Sequence, residues 1–185
     1  MRCVSVLVAA ALLGGCALDP FVTVLGETYT GYAGNWLIED NVDPITGTAV
    51  PSARILTIRS SSASLDLFAK PATMQLTCSG PDPVIKFAYD FKIGSSLNSI
   101  FGYRFDERPG RDTINARFLH GAKSVVIEDR ATVAQFIKDM EGATKLVVRT
   151  RSFNAGRSVT EFNVSESGLP VQKAFAGCPF ALPPA

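Results

Sequence analysis

A single histidine in 185 residues leaves little for proton transfer near neutral pH. Any Ser-His-Asp or Cys-His arrangement would have to use His120. Its surroundings, Arg117-Phe118-Leu119-His120-Gly121, read as a strand end running into a turn. The chain has no Gly-x-Ser-x-Gly elbow, no His-Glu-x-x-His, no P-loop and no Gly-x-Gly-x-x-Gly. The residues therefore support no catalytic site and no cofactor site. Charge of one sign is not in excess either: 18 Lys and Arg stand against 17 Asp and Glu, and Arg2 belongs to the leader described below. That balance gives no electrostatic footprint for nucleic acid or anionic lipid. Repeats, low-complexity tracts and a second linker are absent, so one domain is expected. The longest apolar run, Cys3 to Leu18, falls short of the ~20 residues that a spanning helix needs.

The run has a different use. Arg2, the apolar stretch Val4 to Leu13 and the small residues Gly14-Gly15 are the parts of a secretory signal. Leu13-Gly14-Gly15-Cys16 resembles the lipobox of bacterial lipoproteins. The resemblance implies cleavage before Cys16, diacylglycerol on its sulfur and acylation of the new amino terminus. Several acyl chains anchor stably where one binds only marginally. Ala17 in place of Asp implies sorting to the outer membrane, with the domain facing the periplasm. We therefore expect a signal peptide over 1–15, a lipid-anchored tether over 16–34 and a single domain over 35–181. The tether reaches about 60 Å at most, which keeps the domain near its membrane.

Of four cysteines, Cys3 leaves with the leader and Cys16 takes lipid. Cys78 and Cys178 remain, and in an oxidising compartment they are expected to form one disulfide. Two cysteines and one histidine supply too few soft ligands for structural zinc, so no metal site is expected.

Alternation of apolar and polar residues dominates the domain, the mark of half-buried strands. Asn35–Asp40, Ala53–Arg59, Ser64–Ala69, Thr73–Cys78, Val84–Ile93, Ile100–Asp106, Thr113–His120, Ser124–Glu128, Lys145–Ser152 and Val159–Val164 carry it. Ile85, Phe87, Tyr89, Phe91 and Ile93 share one side of their segment. Asn154-Ala155-Gly156 reads as a hairpin-type turn. Val133, Phe136, Ile137 and Met140 fall at helical spacing, behind a candidate capping box of Thr132 with Gln135 and ahead of a terminating Gly142. A second, short helix is expected over Leu169–Phe175. The fold class is mainly β: an antiparallel sandwich or curved sheet with one packed helix and a short C-terminal one.

Two carboxylates can hydrolyse glycosides without histidine. The doublets Glu39-Asp40, Asp106-Glu107 and Glu128-Asp129 keep a cell-wall hydrolase as an alternative; each lies at a strand end, where a solvated rim is the ordinary explanation. Carriage of a small apolar ligand is another alternative, and it requires a cavity inside the sheet. Arg104, Arg108, Arg111 and Arg117 cluster on one segment, and Arg149, Arg151 and Arg157 on another. They keep a binding surface for an anionic partner as an alternative; Asp106, Glu107 and Asp112 interleave with the first group, which favours a mixed-sign solvated surface.

The order of features resembles a family of small bacterial envelope proteins that includes the accessory protein encoded with type VI secretion systems. The matching pieces are Trp36, Leu76-Thr77-Cys78, Gly102-Tyr103-Arg104-Phe105-Asp106, Gln135-Phe136-Ile137-Lys138, Leu146-Val147-Val148-Arg149, Phe162-Asn163-Val164-Ser165, Gly168-Leu169 and Cys178. The resemblance implies an envelope domain with a disulfide between Cys78 and Cys178 and no established catalytic activity. The expected role is a membrane-tethered interaction or assembly module, with other envelope proteins as partners.

Overall fold

The computed structural model describes residues 23–24, 27–62, 70–95, 98–153 and 156–178. Among them, eleven strands form one antiparallel sheet. Its main path runs β1 (Thr23–Val24), β2 (Glu27–Ala33), β3 (Trp36–Val42), β4 (Ala49–Ser62), β5 (Lys70–Ser79), β6 (Asp82–Tyr89), then β9 (Ser124–Ile127) and β8 (Arg117–Leu119). A second wall, β7 (Ser99–Phe105), β10 (Lys145–Ser152) and β11 (Gly156–Asn163), joins it where β11 pairs with β4. That junction spans only Ser60, Ser61 and Ser62 of β4, opposite Thr160, Val159 and Ser158. The sheet thus curls nearly shut, so of the two expected architectures it is the curved sheet that forms.

Strand β4 is long enough to serve three neighbours. It pairs with β3 through residues 49–54, with β11 through 60–62 on that same edge, and with β5 along the other. A register shift between Thr57 and Ser60 bends it there, as bulges do.

The concave side holds the core. Phe87 on β6, Phe101 and Phe105 on β7, Phe136 on α1 (Arg130–Met140) and Phe162 on β11 are all fully buried. Phe87 lies 5.3 Å from Phe101, 5.9 Å from Phe162 and 6.2 Å from Phe136, centroid to centroid. Tyr103 and Phe105 meet Phe136 edge-on at 4.7 and 5.1 Å. These rings fill the space between the two walls. Edge-to-face geometry suits their quadrupoles and adds to area burial.

The helix α1 starts one turn earlier than the Thr132–Gln135 pair suggests. Asp129 is its cap, accepting from Thr132 N at 2.8 Å and Thr132 Oγ1 at 2.6 Å. Asp129 stands three residues ahead of Thr132, so its carboxylate reaches the orphan amides of the first turn. Gln135 instead donates to Asp139 Oδ1 at 2.8 Å. Gly142, at φ +67°, ends the helix in the left-handed region as expected. A second helix, α2 (Gly168–Ala174), packs over one end of β3, β4 and β5. Cys178 follows it and bonds Cys78 near the end of β5, with Cα atoms 5.7 Å apart.

The sheet begins earlier than residue 35. Strand β2 lies inside the stretch read as tether, paired from Thr28 opposite Asp40 to Ala33 opposite Trp36. Gly34, at φ +57°, makes the tight turn between β2 and β3 that this pairing requires. The expected strand over 113–120 is reduced to Arg117–Leu119, because Thr113 and His120 both sit at positive φ. The expected strand Ser64–Ala69, the turn residues Asn154 and Ala155, and Cys16 lie outside the described residues. No helix among the described residues is long and apolar enough to cross a membrane.

Candidate functional site: an arginine-lined cleft

On β7, β10 and β11, the residues that alternate with the core positions face outward: Ile100, Gly102 and Arg104; Val147, Arg149 and Arg151; Arg157, Val159 and Glu161. Register sets them in rows. Arg104 is opposite Val147, which is opposite Glu161; Gly102 is opposite Arg149, opposite Val159; Ile100 is opposite Arg151, opposite Arg157. The two arginine groups that lie far apart in sequence therefore share one face.

After β7 the chain turns through Arg108-Pro109-Gly110 and comes back along the free edge of that strand. Tyr103 and Arg111 exchange both main-chain hydrogen bonds, at 2.9 and 2.8 Å, and Ile114 N donates to Phe101 O at 2.9 Å. This return places Asp112 against Gly102. A Cβ at 102 would lie 2.7 Å from Arg111 O and 2.8 Å from Asp112 Oδ1. Only glycine lets Asp112 reach over β7, where Oδ2 accepts from Arg149 Nη2 at 2.7 Å and Arg151 Nη2 at 2.6 Å. Partial burial opposes ionisation of Asp112. The Thr113 amide and the two guanidiniums outweigh it and hold the carboxyl below its ordinary value.

The other arginines divide cleanly. Arg108 donates to the carbonyls of Asp139 and Glu141 at 2.7 and 2.9 Å, satisfying the end of α1. Arg117 pairs with Glu128 at 2.6 Å. Arg111 grips the Asp139 carboxylate, which also accepts from Tyr103 Oη at 2.9 Å. Arg104 and Arg157 have no ion-pair partner among the described residues. With Arg111, Asp112, Arg149, Gly102, Gly110, Val147 and Val159 they line a cleft of about 330 Å³.

Asp139 is the pin between α1 and this loop. Burial would raise its pKa, yet hydrogen bonds from Arg111, Tyr103 and Gln135 hold it below the ordinary carboxylate range. The sign follows: a depressed folded-state pKa stabilises fully above the unfolded value, about 3.9, and the gain is lost as pH falls through the folded value. We expect Asp139→Asn to cost about 1–3 kcal/mol at pH 7. Urea unfolding should show that gap to wild type narrowing at pH 3. An undiminished gap there would mean that charge is not what the pin uses.

The carboxylate doublets are each engaged locally. Glu39 is 4% exposed and holds Arg54 at 2.7 Å and Ser52 Oγ at 3.1 Å. Asp106 binds Thr144 Oγ1 at 2.9 Å and Lys145 N at 2.8 Å, and Asp129 caps α1. His120 lies exposed in its turn at φ +52°. Among the described residues no three His, Cys, Asp or Glu cluster as metal ligands would. Comparison with protein-family models, with curated proteins and with solved structures returns no match.

Proposed function

We propose that this protein is a non-catalytic lipoprotein of the bacterial cell envelope, anchored in the outer membrane through Cys16 and facing the periplasm. There it works as an interaction module that docks, through the arginine cleft, to an anionic part of a neighbouring envelope component. The cleft carries the reading. Guanidinium stays protonated throughout the physiological range, so Arg104 and Arg157 beside the Asp112-bound Arg149 are equipped for recognition, not for proton transfer. Arg151 stands directly opposite Arg157; Asp112 answers Arg151, and a binding role explains the charge of Arg157. The Cys78–Cys178 bond suits an oxidising compartment. With β1 and β2 in the sheet, the chain between Cys16 and Thr23 reaches about 25 Å at most, close enough for contacts at the membrane surface. The family resemblance suggests a secretion apparatus as the assembly served.

Fractionation of cells should find the wild type in the outer membrane and Cys16→Ser among soluble proteins. A photo-crosslinker at Val159 should yield adducts that Arg104→Glu with Arg157→Glu removes. Mass spectrometry showing Cys16 unmodified would refute the anchor; adducts unchanged by charge reversal would refute the cleft as the docking surface.

A further inference from the structure

We infer that the arginine cleft binds a phosphate group carried by its envelope partner; this assignment rests on the reading of the cleft as a docking surface. The shape of the charge decides between anions. Arg104, Arg149 and Arg157 lie on three successive strands and step diagonally across the face. Strand spacing and residue rise put neighbouring Cα atoms of this diagonal about 8 Å apart, within reach of one central anion for side chains of this length.

What a carboxylate can do there is already visible. Asp112 satisfies one Nη2 each of Arg149 and Arg151 and leaves Arg104 and Arg157 without an anion among the described residues. A planar carboxylate offers two oxygens and one charge; a phosphate monoester offers three acceptor oxygens and close to two charges. With Arg111 held by Asp139, the lining guanidiniums Arg104, Arg149 and Arg157, and Arg151 beside them, face Asp112 as their one carboxylate among the described residues, an excess that such a group neutralises far better. The cleft floor adds no competing anion: Gly102, Gly110, Val147 and Val159 form it, and Glu161 stands beyond Val147, outside the lining. About 330 Å³ accommodates a phosphate with a sugar or glycerol-sized neighbour.

The test uses the full-length protein in neutral detergent, followed by NMR of arginine Nε–Hε groups during titration with inorganic phosphate at constant ionic strength. Saturable shifts are expected at Arg104 and Arg157. Arg104→Gln with Arg157→Gln should weaken phosphate binding about tenfold or more, and Asp112→Asn should strengthen it about threefold, because the internal competitor is gone. Each variant should keep the wild-type melting temperature within a few degrees, as exposed ion pairs contribute little. Nanodiscs then separate the sources. The same shifts in phosphatidylglycerol discs but not phosphatidylcholine discs assign a membrane headgroup; shifts with soluble phosphate alone assign a soluble or glycan phosphate. Shifts no larger than those with chloride would overturn the inference, as would binding of a polyglutamate peptide with no response to phosphate. That failure is distinguishable from failure of the docking role, since crosslinks at Val159 could still depend on Arg104 and Arg157.

Discussion

Replacing Cys78 and Cys178 together by serine is expected to lower the unfolding free energy by about 4–5 kcal/mol. The bond joins residues 100 apart, and chain-entropy theory assigns a loop of that size nearly this amount. For a domain of this length the melting temperature should drop by about 10–20 °C. The loss should not be uniform. Cys178 sits directly behind α2, which covers one end of β3, β4 and β5, so hydrogen exchange in α2 should accelerate first. Calorimetry of oxidised and reduced wild type supplies the control without mutation. Equal melting temperatures in the two would show that the crosslink is dispensable to the fold.

Phe136→Ala should produce the other large effect, about 3–5 kcal/mol. The ring is fully buried and touches three others, from β6 and β7, at 4.7–6.2 Å. Truncation leaves a void between two walls that meet elsewhere through a three-residue seam, so neighbouring strands have little freedom to close it. Phe136→Leu keeps most of the volume and should cost only about 1–2 kcal/mol. Chemical unfolding of both variants checks the pair. A Phe136→Ala protein within about 1 kcal/mol of wild type would mean that the interior is far looser than the ring contacts imply.

Most of the elements were legible because the inner and outer faces differ so sharply in polarity. Phe87 and Tyr89, or Phe101, Tyr103 and Phe105, recur every second residue on the buried side, and Val133, Phe136, Ile137 and Met140 mark the helix face by the other period. The cystine was readable by elimination among four cysteines. Strand β2 was missed because Thr28, Tyr29, Thr30 and Gly31 carry no aliphatic stripe, and the strand is irregular at Gly31. The cleft was missed for a deeper reason. Local alternation shows that Arg149 and Arg151 share a face, but only the pairing of β10 with β7, some forty residues earlier, brings Arg104 and Asp112 to them. Net charge gave no warning, since balanced totals conceal segregation on one wall. Interleaved Asp106 and Asp112 suggested a neutralised surface; in fact Asp106 is spent on Thr144 and Lys145, and Asp112 answers two guanidiniums at once.

The branching of the sheet at β4 sets a timetable for folding. Everything that completes the second wall and its covering helix (β10, β11, α2 and the second cysteine) comes from residue 145 onward, whereas the strand that receives β11 ends at Ser62. A chain emerging amino terminus first can pair β4 with β5 and β6 and lay the rings of β7 and α1 on Phe87 early, yet the strand that closes the second wall onto β4 arrives only with the final segments. Partners so distant in sequence make commitment slow. Under the export proposed above, a chain that crosses amino terminus first would hold its second wall open toward β4 until the residues from Lys145 onward arrive.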